Sequence, residues 1–195
     1  MAAPEKYTVK TYGHNVLKQV AEPVAEINSE IIELASKMID MTERYNGIGL
    51  AAPQIGVSKR VVALWIPDDP SCRAGSPGEE LLLPRMPLVI VNPEIIAASA
   101  DTFSYDEGCL SVPDIYGPVV RPSSVVLRAS LLDGSTIECE CGGLLGRCIQ
   151  HELDHLDGFL FVDRMTEEDR RNIDFKLFRL ERNGKKHNFE RPCKK

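Results

Sequence analysis

The residues best suited to chemistry fall in one run, Gln150-His151-Glu152-Leu153-Asp154-His155-Leu156-Asp157-Gly158, which contains His-Glu-x-x-His. Residues four apart on an α-helix share a face, so His151 and His155 can direct two imidazoles at one divalent cation. Glu152 beside them can move a proton without being a ligand. Leu144, Leu145, Cys148 and Ile149 precede the run at helical spacing, so this helix is expected to be buried. The plainer reading is an ordinary polar face. Burial argues against it, because polar groups left there without a cation would go unsatisfied at about 1–3 kcal/mol each.

Two histidines do not complete a catalytic centre, which ordinarily has three protein ligands and one position open to water. A third histidine six residues beyond His155 is excluded, since Phe161 stands there, although Gly158 fits that pattern. A glutamate on a later helix is a second option, with Glu167, Glu168 or Glu181 within range. The third is Cys109, in a Gly-Cys turn between two predicted strands, whose thiolate would make a Cys-His-His set.

The rest of the chain must position these groups. At 195 residues it suits one domain, residues 1–195, that buries a full core without staples, ending in a polar, mobile tail from about Asn183. The net charge of −6 gives no global basic footprint for nucleic acid. Apolar runs such as Val61 to Ile66 have strand length, so neither a membrane span nor a signal peptide is expected. Six irregularly spaced cysteines do not make a secreted disulfide scaffold, which favours a reducing cytosol.

Asn28 or Ser29 offers an N-cap to a first helix with Ile31, Leu34, Ala35, Met38 and Ile39 on its apolar face, stopping near Tyr45 at Asn46-Gly47. Gly47 to Gly56 is a small-residue loop without phosphate-loop spacing, in which Gln54 is the one polar side chain a ligand could meet. Strands are predicted over Arg60 to Ile66, Leu88 to Val91, Ile95 to Ala97, Val119–Val120, Ser124 to Ala129 and Thr136 to Cys141, with a hairpin at Asp133-Gly134. Pro67 to Pro87, with five prolines, reads as a surface excursion in which Cys72 is exposed and incidental. Cys139 and Cys141 would share one face of a strand, a spacing that fits a zinc ribbon poorly. Thr166-Glu167-Glu168 would cap a last amphipathic helix carrying Ile173, Leu177 and Leu180.

Three segments in order, Gly47-Ile48-Gly49-Leu50-Ala51-Ala52-Pro53-Gln54, Glu107-Gly108-Cys109-Leu110-Ser111 and Gln150-His151-Glu152-Leu153-Asp154-His155, resemble the signature motifs of the peptide deformylases. The resemblance spans nearly the whole chain. It implies a metal-dependent hydrolase that removes the formyl group from N-formylmethionine on nascent polypeptides, near the ribosome, and releases formate. It also implies that Cys109, His151 and His155 bind one divalent ion, ferrous iron in the usual physiological case, with zinc, nickel or cobalt able to replace it. Glu152 would be the general acid/base for metal-bound water attacking the formyl carbonyl. The Gln54 amide and the Leu110 backbone N–H would face the developing oxyanion. Ile48, Gly49, Leu144 and Cys148 would line the methionine pocket, and Gly108 with Gln54 would keep the site too tight for acetyl. Glu107 and Arg121 would form an internal ion pair behind the cysteine turn.

The expected fold is α+β, with mixed or antiparallel β-sheets around a central metal-binding helix and a helix at each end. The bacterial type would be cytoplasmic; the longer Pro67 to Pro87 segment resembles organelle versions, which would work in a stroma or matrix. Arg147 stands where apolar residues are commoner in the family: facing the substrate it would pair with an acidic side chain, and facing outward, the favoured reading, it would be a solvated helix position. Two rival readings stand beside this one: a different zinc amidase or endopeptidase with a glutamate as third ligand, and a metal-stabilised binding module without catalysis.

Overall fold

In the computed structural model, which describes residues 7–186 and 190–191, the centre is a five-stranded antiparallel sheet. Its strands are β2 (Gly49–Ala51), β3 (Val61–Leu64), β4 (Leu88–Ala98), β7 (Val125–Leu131) and β8 (Thr136–Cys141), in the order β2-β3-β4-β7-β8. Along β3 the side chains alternate between two cores. Val61 and Ala63 pack with α1 (Ser29–Arg44), while Val62 and Leu64 pack with α3 (Gly143–Leu156). A strand buried on both faces loses polar alternation, which is why this one reads as a continuous apolar run.

The first helix begins where its cap predicts: the Asn28 side chain accepts from the Glu30 and Ile31 amides, and Asn46, at φ 52°, turns the chain away after Tyr45. The hairpin β5 (Thr102–Cys109) and β6 (Val112–Pro122) forms a separate two-stranded sheet and carries Cys109 at its turn. Ile115, Gly117, Val119 and Arg121 face inward along β6, so the strand's period of two delivers an arginine into the interior. The last helix, α4 (Glu167–Gly184), is capped by Thr166 as expected and buries Ile173 and Leu177 against β6 and the Leu160–Val162 segment.

The two predicted strands on either side of Pro93 are one strand, β4, with register shifts after Val91 and Ile95. The excursion from Pro67 to Pro87 is not simply surface. It contains α2 (Pro77–Leu82), closed at its N-terminus by reciprocal Ser76–Glu79 hydrogen bonds, and buries Glu79, Leu82 and Leu83. Cys72 within it is half-buried. Toward the C-terminus, α4 carries Asn183 and Gly184, and β9 (Glu190–Arg191) pairs antiparallel with β1 (Val9–Lys10). The remainder of the tail expected from Asn183, residues 187–189 and 192–195, lies outside the described residues.

Candidate metal centre

The Cys109 turn meets one face of α3. Cys109 Sγ lies 3.1 Å from His155 Nε2, and the ligand atoms of Cys109, His151 and His155 all lie within 4.8 Å of one another. Among the described residues no other histidine, cysteine or carboxylate cluster of this kind exists. Glu167, Glu168 and Glu181 take no part, so the glutamate-ligand alternative has no support. One thiolate and two imidazoles form a donor set that suits several divalent transition ions.

Each donor is held from behind. His151 Nδ1 donates to Glu107 Oε2 at 2.8 Å, which leaves its Nε2 lone pair for a cation. Glu107 in turn takes a two-pronged contact from Arg121, at 2.6 and 2.9 Å, and the third Arg121 nitrogen reaches Asp154 at 2.8 Å. Arg164 closes this chain on Asp154 at 2.6 Å. The Gln54 side-chain amide donates to Cys109 Sγ at 3.4 Å and to Ser111 Oγ at 3.3 Å, while its carbonyl accepts from the Ala51 amide at 2.7 Å.

Electrostatics follow this wiring. Burial alone would raise the Glu107 pKa, but hydrogen bonds and charge from Arg121 and His151 hold it well below the usual carboxylate range. Burial pushes Glu152 up to about 7, with the Glu107 charge adding to it and His151 opposing. Burial would also discharge His151, yet its bonds to Cys109 and Glu107 hold its pKa well above the ordinary value. His155, buried and facing the His151 charge, is pushed well below. Glu152 Oε2 is buried with no hydrogen-bond partner among the described residues. An orphaned carboxylate oxygen beside three converging donors fits a centre that binds a cation and its water.

The site opens into a cavity of about 330 Å³ whose lining includes Ile48, Gly49, Gly108, Leu110, Leu144 and Cys148. All five predicted substrate-pocket residues and Leu110 therefore meet at one place, with Gln54, Cys109, His151 and Glu152. Gly49 leaves room for Glu152 and Cys148: a Cβ there would fall 2.4 Å from Glu152 Oε1 and 2.6 Å from Cys148 Sγ and would displace them. A Cβ on Gly108 would meet the Tyr116 ring at 2.4 Å.

The polypeptide deformylase family model matches residues 6–171. The chain belongs to the peptide deformylase family. It is 45% identical over 160 residues to peptide deformylase 2 of Gloeobacter violaceus, covering 82% of this chain and 79% of that one. It is 42% identical over 176 residues to the peptide deformylase of Chlorobium phaeobacteroides, covering 89% and 88%. Among solved structures, a Plasmodium falciparum peptide deformylase in complex with an inhibitor superposes with a TM-score of 0.76 at 31% identity, covering 89% of this chain and 99% of that one. The mixed α+β architecture with antiparallel sheets is that of the solved peptide deformylases, and the chain is a metal-dependent hydrolase. No helix among the described residues is long and apolar enough to cross a membrane.

Arg147 is the deformylase residue that sequence reasoning placed wrongly. It does not face solvent: it is 5% exposed. One terminal nitrogen donates to Glu107 Oε1 at 2.8 Å and to the Val119 carbonyl at 3.1 Å, and the other donates to the Phe103 carbonyl at 2.9 Å. Its guanidinium also lies 4.3 Å from the Phe103 ring centroid. The helix that bears the histidines is thus tied to both strands of the hairpin that bears the cysteine. The only sequence signal was a cation in an otherwise apolar helix, which marks either an exposed face or a buried partner.

Proposed function

We propose that this chain hydrolyses the formyl group from N-formylmethionine at the start of nascent polypeptides and releases formate. The observation that carries this reading is the convergence of the Cys109, His151 and His155 donor atoms within 4.8 Å, beside a buried Glu152 and at the floor of a cavity lined by Ile48, Leu144 and Cys148. Cys109, His151 and His155 would hold one divalent ion, which we take to be ferrous iron in vivo, although zinc, nickel or cobalt suit the same donors. When bound, such an ion polarises the carbonyl and lowers the pKa of water to about 7.

The chain's own residues account for the rest. Glu152, poised by burial near neutrality, takes a proton from the attacking water and passes it to the departing amine. Gln54 holds its amide against Cys109 Sγ and Ser111 Oγ. That amide, held at the cysteine, would be a donor to the carbonyl oxygen, alongside the Leu110 backbone N–H. A donor in such a place contributes about 2.7–4 kcal/mol in the transition state. Ile48, Gly49, Leu144 and Cys148 receive the methionine side chain. The Tyr116 ring packed on Gly108 supports a site that admits formyl and excludes larger acyl groups. The setting would be the ribosomal exit, in a bacterial-type cytoplasm or an organelle stroma or matrix.

The test is anaerobic purification with metal analysis and a formate-release assay on formyl-Met and acetyl-Met peptides. Wild type should release formate and leave acetyl-Met intact. Glu152→Gln should keep its metal while losing turnover by orders of magnitude, and Cys109→Ala should lose the metal. Inactivity with every divalent ion restored, or retention of metal by Cys109→Ala, would overturn the reading.

A further inference from the structure

Two cysteines outside the metal centre remain unexplained by deformylation. Cys139 and Cys141 lie on β8, which among the described residues is an edge strand paired with β7 alone, and their side chains share its inner face with Sγ atoms 3.8 Å apart. Cys139 is half-buried and reachable. Cys141 is fully buried under α2, where a Cβ on Gly78 would come within 2.5 Å of its sulfur. We propose that Cys139 and Cys141 are a reversible dithiol–disulfide pair, a thiol modification site separate from the metal centre and oxidised by low-molecular-weight disulfides.

The geometry divides the work between the two sulfurs. Cys141 can donate its S–H to Cys139, which lowers the Cys139 pKa to about 7, while the same contact and burial push Cys141 up. The accessible sulfur is therefore the nucleophile. Its thiolate attacks one sulfur of a disulfide R–S–S–R, forming a mixed disulfide and expelling one thiolate, R–S⁻. Cys141 then gives up its proton to that thiolate and attacks Cys139 Sγ, expelling the second. The protein loses two hydrogens and R–S–S–R becomes two R–SH.

Closure is within reach of the spacing of the two residues. Two residues of strand span about 6.6 Å between Cα atoms, near the upper edge of the roughly 4.4–6.8 Å that disulfides bridge. Cys141 is the last residue of β8, its outer edge carries no further strand among the described residues, and Gly142 and Gly143 follow it. The sulfurs can therefore approach to about 2.05 Å by local puckering, without breaking a second ladder.

The test uses metal-loaded full-length protein, with glutathione disulfide as the oxidant. Alkylation and peptide mass analysis should find an intramolecular 139–141 bond that dithiothreitol reverses, in protein whose circular dichroism is unchanged. Cys141→Ser should stop with glutathione on Cys139, and Cys139→Ser should leave Cys141 free. Wild-type protein that keeps both thiols alkylatable, or that accumulates glutathione on Cys139 with Cys141 unreacted, would overturn the proposal.

Discussion

Replacing Arg147 by Met keeps the aliphatic volume and removes the guanidinium. Its loss deletes a charge-assisted hydrogen bond to Glu107, about 1.5–3 kcal/mol, and the donors to the Val119 and Phe103 carbonyls, about 1 kcal/mol each. The contact with the Phe103 ring adds about 0.5–1 kcal/mol. Relief from desolvating a buried cation offsets part of this. Glu107 also keeps its two-pronged contact with Arg121 and its bond to His151, so it is not left as an isolated buried charge. The expected net loss is about 2–4 kcal/mol in denaturant unfolding. Because the clamp joins the hairpin bearing Cys109 to the helix bearing the histidines, metal transfer to a competing chelator should accelerate about 10- to 100-fold, the usual range for partners behind metal ligands. Arg147→Lys should recover only part of both effects, since one ammonium cannot span the carboxylate and two carbonyls. A solvent-facing arginine would predict a change within about 0.5 kcal/mol. Unfolding and metal release at wild-type values in Arg147→Met would refute the clamp.

Metal-free protein should be stabilised by Glu152→Gln at alkaline pH. The folded-state pKa of Glu152 is raised to about 7 from 4.5, so stability present below 4.5 is lost as the pH rises through 7, and by pH 8 wild type carries a penalty of at most about 3 kcal/mol. Urea unfolding at pH 5 and 8 checks this, and equal stabilities of the two proteins at pH 8 would refute it. Gly49→Ala should reduce kcat/KM at least a hundredfold, because the added Cβ collides with Glu152 and Cys148; retained activity would show that the pocket wall can move. Glu79→Ala should cost about 2–3 kcal/mol, since its carboxylate accepts from the Ala74 amide and from the amide and hydroxyl of Ser76. Burial would raise the Glu79 pKa, but those bonds hold it below 4.5; its contribution is complete above pH 4.5 and lost as the pH falls further, so the two proteins should converge in acid melts.

What could be read in the sequence was whatever periodicity or punctuation encodes. Asn28 and Asn46-Gly47 placed α1 to within a residue or two, since caps and left-handed stops are local events. His151, Glu152 and His155 were legible because helical spacing alone puts them together, whereas Cys109 was one of several possible third donors until the three-motif resemblance selected it. β5 was missed as a strand: Phe103 and Tyr105 are β-formers, but both are exposed, so no buried apolar face marks the segment. α2 was missed because six residues are too short for a periodic pattern, although Ser76-Pro77-Gly78-Glu79 carries a capping box and an N1 proline.

The misplacement of Arg147 has a different origin. Periodicity assigns a side chain to a face, and a cation on a face is ordinarily taken outward. Here Arg121, Arg147 and His151 converge on the single carboxylate of Glu107, and Arg121 and Arg164 converge on Asp154. None of these groups would be stable inside alone, because desolvating one charge costs several kcal/mol. Glu107, Arg121, Arg147 and Asp154 are buried only because their partners arrive from β5, β6 and α3, while Arg164 reaches Asp154 from an exposed position after α3. That interdependence makes the network cooperative, so removing one arginine should disturb metal retention as well as stability. A two-residue cycle of Arg147→Met with Arg121→Met should therefore be non-additive: having lost both cationic partners, Glu107 would take a proton, its bond to His151 would weaken, and the double variant should lose metal faster than the product of the single effects.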